Sequence, residues 1–144
     1  MKIRIERVHP DAQLPTYAHG PQEDAGMDLR AVEEVRLEPN VPGLVPTGLR
    51  VEVPPGCEAQ IRMRSGLALK HALILPNSPG TIDPGYRGEV KVIVLNLGRE
   101  AYVVKQGDRI AQMVVARYEA IEWDERAVGE TSRGAGGFGS TGHQ

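Results

Sequence analysis

Four stretches of the chain combine residue types that can handle a phosphorylated ligand. At Arg64-Ser65-Gly66 a strand-like run gives way to a short helical one. Glycine admits a ligand close to the backbone, the first N–H groups of a helix lack helical partners, and a guanidinium can grip two phosphate oxygens. The purely structural alternative is a serine capping a helix beside an exposed arginine. Residues 77–89, Asn-Ser-Pro-Gly-Thr-Ile-Asp-Pro-Gly-Tyr-Arg-Gly-Glu, are dense in turn formers and long for a hairpin connection. Within them Asp83 is either a turn residue ahead of Pro84-Gly85 or a carboxylate that takes a proton from water as general base. Tyr86 either covers one end of the domain or lays its ring against a sugar. Residues 25–31, Ala-Gly-Met-Asp-Leu-Arg-Ala, set Asp28 in an apolar context, as a structural acid or as an outer-sphere partner of hydrated magnesium. Residues 107–112, Gly-Asp-Arg-Ile-Ala-Gln, form a turn feeding a strand and end in Gln112, whose amide can bond a ligand or the backbone.

The C-terminal stretch differs in kind. Residues 129–142 hold six glycines, two serines, two threonines, Arg133 and Phe138, a composition that cannot make a core. The chain therefore divides into a folded domain over residues 1–128 and a flexible glycine-rich arm over 129–144. A free tail gains nothing from an aromatic ring. A tail that closes over a ligand can use Phe138 for stacking and Arg133 with the hydroxyls for phosphate. Fully extended, it gains up to ~3.3–3.6 Å per residue, enough to leave its own domain.

These segments need elements to position them, and 17 glycines with 11 prolines leave little room for long helices. Period-two alternation predicts strands over residues 2–8, 49–53 and 57–63, the last two joined by Pro54-Pro55-Gly56 as a hairpin. Further strand-like runs cover 35–37, 89–97, 101–105 and 110–118. This spacing suggests an all-β sandwich, jelly roll or barrel. The single helix expected, over residues 66–73, has an apolar face that could lie on the sheet.

Composition sets the remaining bounds. The chain of 144 residues fits one folded domain, with 40% hydrophobic and 25% charged residues but only 4% aromatics, so aliphatic packing must dominate. With 17 basic against 19 acidic side chains the net charge is −2, too balanced for bulk-charge binding of nucleic acid. The lone Cys57 excludes an intramolecular disulfide and a thiolate metal cluster, and histidines 9, 19, 71 and 143 have no chelating spacing. No run approaches a membrane span and the first residues lack the apolar stretch of a signal peptide, so the cytoplasm is the expected location.

Taken in order, residues 25–31, 64–68, 80–92 with the preceding Asn77, 107–112 and 133–142 resemble the five motifs of the trimeric deoxyuridine triphosphatase (dUTPase) family. The last, Arg-Gly-Ala-Gly-Gly-Phe-Gly-Ser-Thr-Gly, is the most specific. The resemblance covers nearly the whole chain and implies a jelly-roll-like distorted β-barrel, a homotrimer with shared active sites, and Mg2+-dependent hydrolysis of dUTP to dUMP and pyrophosphate. Such a reaction limits uracil incorporation into DNA and supplies dUMP for thymidylate synthesis. By the same resemblance Asp83 activates the water that attacks the α-phosphorus, and Arg64, Ser65, Gly66 and Gln112 hold phosphates. Asp28 would reach the ion through water. Asn77, Thr81, Ile82 and Lys91 would surround uracil, while Tyr86 packs on the deoxyribose. Phe138 would stack over the base, with Arg133, Ser140 and Thr141 near the γ-phosphate. The rival dCTP deaminase branch carries a catalytic glutamate where this chain has Ile93, and a noncatalytic nucleotide-binding protein of the same fold would have no need of Asp83.

Overall fold

The computed structural model describes residues 1–139. Their regular elements are β1 (Arg4–Arg7), β2 (Met27–Arg30), β3 (Val35–Leu37), β4 (Pro42–Pro46), β5 (Leu49–Glu52), β6 (Cys57–Met63), α1 (Ser65–His71), β7 (Leu73–Ile74), β8 (Gly80–Ile82), β9 (Lys91–Asn96), β10 (Tyr102–Val104) and β11 (Arg109–Arg117). The alternation read in the sequence becomes alternating burial. In β6, Cys57, Ala59 and Ile61 are buried while the residues between them face outward, and in β9 Val92 and Val94 do the same.

Four small sheets surround one aliphatic core: β2-β11-β6-β8, β4-β9-β7, β1-β5 and β10-β3, with every pairing antiparallel. The result is jelly-roll-like, and the sheets do not close into one continuous barrel. Of the expected site residues, the four-stranded sheet carries Asp28, Thr81, Ile82 and Gln112, with Arg64 and Asp83 just beyond the ends of its strands. Its register sets Asp28 opposite Gln112 and Gln112 opposite Arg62, one row on the face away from the core.

Two expectations need correction. Residues 49–53 and 57–63 do not form a hairpin: β5 pairs with β1, whereas β6 lies between β11 and β8. A turn closes between the Cys57 N–H and the Pro54 carbonyl at 3.1 Å, but Pro54 and Pro55 have no N–H to start a ladder. Val51 and Val53 on one side and Ala59 and Ile61 on the other then enter the same core from different sheets. The helix also starts earlier and ends sooner than expected. Arg64 is its N-cap with no side-chain cap bond, Ala72 closes it in the left-handed conformation (φ 52°), and Leu73 already belongs to β7. No helix residue is buried. Leu67 alone packs against the core, and Leu69 is 88% exposed.

Beyond β11 the chain runs from Tyr118 to Gly139 without strand or helix, held by turns such as Gly136 N–H to Arg133 carbonyl at 3.1 Å. Ile121, Trp123 (84% exposed), Val128 and Phe138 along it are all exposed.

Candidate active site

The chain assembles the expected residues into two groups. The first sits where β6 runs into α1. Asp28, on β2, accepts from Arg64 Nε at 3.0 Å through one oxygen and pairs with Arg109 at 3.4 Å through the other. Arg64 also donates to the Arg109 carbonyl at 3.3 Å, so the guanidinium is fixed from two sides with part of its fork left over. Asp28 is only 15% exposed, and the two guanidinium contacts offset its loss of solvation.

Gln112, one strand over, donates to the Met63 carbonyl at 3.2 Å. A Cβ at position 26 would stand 2.5 Å from its Oε1, so Gly26 is what lets this amide lie flat against the preceding loop. Ser65 and Gly66 open the helix. The space where a Cβ of residue 66 would lie is empty, so packing within the chain does not demand glycine there.

The second group lies around β8 and β9. Asn77, Thr81, Ile82 and Lys91 line one narrow cavity of about 60 Å³, together with Ile61, Leu75, Gly80, Val92 and Ile93. Asp83 follows directly on the buried Ile82 and is itself exposed. Its carbonyl accepts the Tyr86 N–H at 3.1 Å, closing the turn, and among the described residues its carboxylate makes no ion pair. The Tyr86 ring folds back over residue 88, where any Cβ would strike the ring and hydroxyl, so Gly88 is what allows this ring position. The Tyr86 hydroxyl donates to the Glu89 carbonyl at 2.9 Å.

These groups do not meet within one chain. Ile82 pairs with Ala59 and the strands run antiparallel, so Asp83 leaves β8 at the end of β6 opposite to Arg64. Six residues of strand separate them, about 20 Å along the sheet. The arm is apart from both. Arg133 Nε bonds the Gly136 carbonyl at 2.8 Å, and Phe138 is fully exposed. Ser140 and Thr141 lie outside the described residues.

Sequence reasoning passed over Arg109. It stands within residues 107–112, but only the pairing of β11 with β2, with its register shift between Arg109 and Ala111, brings it to Asp28.

Magnesium would find no protein cage here. Among the described residues no three His, Cys, Asp or Glu side chains converge. One carboxylate, Asp28, beside the Arg64 guanidinium does fit an ion carried on substrate oxygens with its water shell.

The geometry is that of an all-β domain with two groups of expected residues, one built on Asp28, Arg64 and Arg109, the other a narrow cavity whose lining residue Ile82 is followed in the chain by Asp83. Comparison with known proteins assigns it further. The family model for dUTPase matches residues 12–142. The chain is 72% identical over 142 residues to the deoxyuridine 5'-triphosphate nucleotidohydrolase of Solibacter usitatus (strain Ellin6076), covering 99% of this chain and 97% of that one. A Staphylococcus bacteriophage 80alpha dUTPase solved with dUPNHPP superposes with a TM-score of 0.89 at 25% identity, covering 99% of both chains. A mutant dUTPase of phage phi11 of S. aureus, solved with a structural Mg(II) ion, has the same fold, with a TM-score of 0.82 at 23% identity over 91% of this chain and all of that one. This chain belongs to the dUTPase family.

Proposed function

We propose that the chain hydrolyses dUTP to dUMP and pyrophosphate as a homotrimer whose sites are shared between subunits. The observation that carries this reading is the cavity: all four residues expected around uracil line it, and the expected base, Asp83, is the next residue in the chain. Ile93 also lines that cavity, so the position where a deaminase would place its glutamate holds an apolar side chain.

In the reaction, uracil enters beside Thr81 and Ile82, and the β8–β9 backbone pairs with its polar edge. A mismatched base leaves buried donors or acceptors unpaired, which discriminates strongly. The Tyr86 ring covers the deoxyribose. Asp83 accepts a proton from water as the water oxygen attacks the α-phosphorus in line, and the bond from that phosphorus to the bridging oxygen breaks to release pyrophosphate. Arg64, with Ser65, Gly66 and Gln112 of a neighbouring subunit, receives the negative charge that builds on the phosphates. Magnesium, bound to the triphosphate and reached by Asp28 through water, would supply further charge neutralisation and a fixed triphosphate conformation. The arm, residues 129–144 of a domain otherwise ending at 128, would close last, with Phe138 over uracil and Arg133, Ser140 and Thr141 at the γ-phosphate, excluding water.

On this reading the enzyme works in the cytoplasm, removing dUTP before it reaches DNA and yielding dUMP for thymidylate synthesis. No helix among the described residues is long and apolar enough to cross a membrane. The test is release of pyrophosphate from dUTP, dCTP and UTP, with ammonia followed in parallel. Pyrophosphate from dUTP alone is expected, and ammonia from dCTP would overturn the reading.

A further inference from the structure

Glu89 has no part in the roles above, yet it makes three contacts, one of which holds Tyr86. Its Oε1 accepts the Gly48 N–H at 2.8 Å, its Oε2 stands 3.6 Å from Lys91 Nζ, and its carbonyl accepts the Tyr86 hydroxyl at 2.9 Å. Gly48 is an unyielding anchor. Its φ is 68°, a Cβ there would meet His9 Cβ at 2.8 Å and Ala12 Cβ at 2.9 Å, and its carbonyl takes the Val8 N–H at 2.8 Å. The peptide that joins Glu89 to Val90 has one anchor of its own, the Val90 N–H on the Leu49 carbonyl at 2.7 Å. The Val90 side of that peptide is held further, since the Thr47 N–H and hydroxyl donate to the Val90 carbonyl at 3.3 and 2.6 Å and Val90 is buried. On the Glu89 side the tie is the carboxylate bond to Gly48, one residue along the same segment, and it orients the Glu89 carbonyl. That carbonyl is what the Tyr86 hydroxyl hangs on, while Gly88 leaves the ring room to lie down.

We propose that Glu89 is a positioning residue for sugar selectivity, holding the Tyr86 ring where a ribose 2′-hydroxyl would collide with it. The inference rests on the reading above that Tyr86 packs against the deoxyribose. The hydrogen bond to Gly48 is the operative contact. The Lys91 pair is longer and partly exposed, a geometry that contributes little.

The test compares full-length Glu89→Ala, Glu89→Gln and Tyr86→Phe, and Glu89→Ala combined with Tyr86→Phe, by kcat and KM for dUTP and UTP. Glu89→Ala should lower the preference for dUTP over UTP about fivefold, the scale of one hydrogen bond, with kcat for dUTP within about twofold of the parent. Glu89→Gln still presents an oxygen to Gly48 and should keep the preference. Tyr86→Phe, which touches neither anchor, should reproduce the loss by itself even if Glu89→Ala folds poorly, and combining the two should add nothing. Amide exchange over residues 84–90 should quicken in Glu89→Ala and not in Glu89→Gln. Faster exchange with unchanged preference would make the role merely structural and overturn the proposal, as would equal losses in the alanine and glutamine variants or additive losses in the double variant. A parent enzyme that prefers dUTP over dCTP but not over UTP would instead overturn the placing of Tyr86 on the sugar, and this inference with it.

Discussion

Arg64 and Asp83 leave the ends of two paired antiparallel strands in opposite directions and stand about 20 Å apart along the sheet. A group that grips a phosphate and a base that directs water at it must both lie within hydrogen-bond reach of one substrate. That separation within one chain is what a site shared between subunits, as proposed above, would require.

Mixing two inactive proteins tests the consequence. Arg64→Ala and Asp83→Asn trimers, mixed equally with full exchange of subunits, should recover roughly a quarter of parental activity, one half multiplied by one half. Mixed trimers that demonstrably form yet remain inactive would show that both residues act from one chain.

Asp83→Asn by itself should lower turnover of dUTP at least ~10²-fold, the usual scale for a positioned base. The side chain is exposed and makes no ion pair among the described residues, so its melting temperature should stay near that of the parent. Turnover within a few-fold of the parent would remove Asp83 from its role.

A chain cut after Thr131 loses Arg133, Phe138, Ser140 and Thr141 together. The folded domain makes no use of Phe138, which is fully exposed, so thermal stability should be retained. kcat/KM for dUTP should fall by ~10² or more, the loss typical of removing even one charge-stabilising donor. A truncated enzyme as active as the parent would mean that the arm closes over nothing.

Tyr102 gives a stability signature at alkaline pH. Burial, and after it the Asp108 carboxylate, push its phenol pKa up, and its ring rests tilted on His71 with centroids 4.8 Å apart. An unfolded tyrosine ionises near about 10, so below that pH the contribution of the neutral, partly buried phenol is fully present. As pH rises further, the unfolded chain gives up a proton that the folded chain keeps, and stability falls until the folded value is passed. Urea midpoints measured from pH 8 to 11 should therefore decline less in Tyr102→Phe than in the parent. Parallel declines would show that the phenol is not the group responsible.

Residues 57–63 have in the structure the strand limits their alternation suggests, because a half-buried strand writes its two faces into neighbouring residues, and the strand-like run 35–37 keeps its limits too. Partnership is not written locally. β5 and β6 each alternate well, yet they join different sheets, and only the whole core decides that. β4 was hidden because Pro42 and Pro46 bound a strand that β9 completes from one side. The cavity residues Asn77, Thr81, Ile82 and Lys91 were legible as a set through their ordered motif, and the structure gathers them. Arg109 and Glu89 were not singled out by residue type or spacing. Their meaning comes from register and from a glycine 41 residues away, neither of which spacing along the chain reveals.

Trp123 is the sole tryptophan of the chain and is almost wholly exposed on the segment beyond β11. Its indole makes that segment its own optical probe. In an isolated chain the emission should lie to the red and be open to a collisional quencher such as acrylamide. Wherever another surface covers the segment, the same indole should shift to the blue and become shielded. Should the proposed trimer cover the segment, dilution followed by fluorescence alone would report when its subunits part, with no label attached to any site residue.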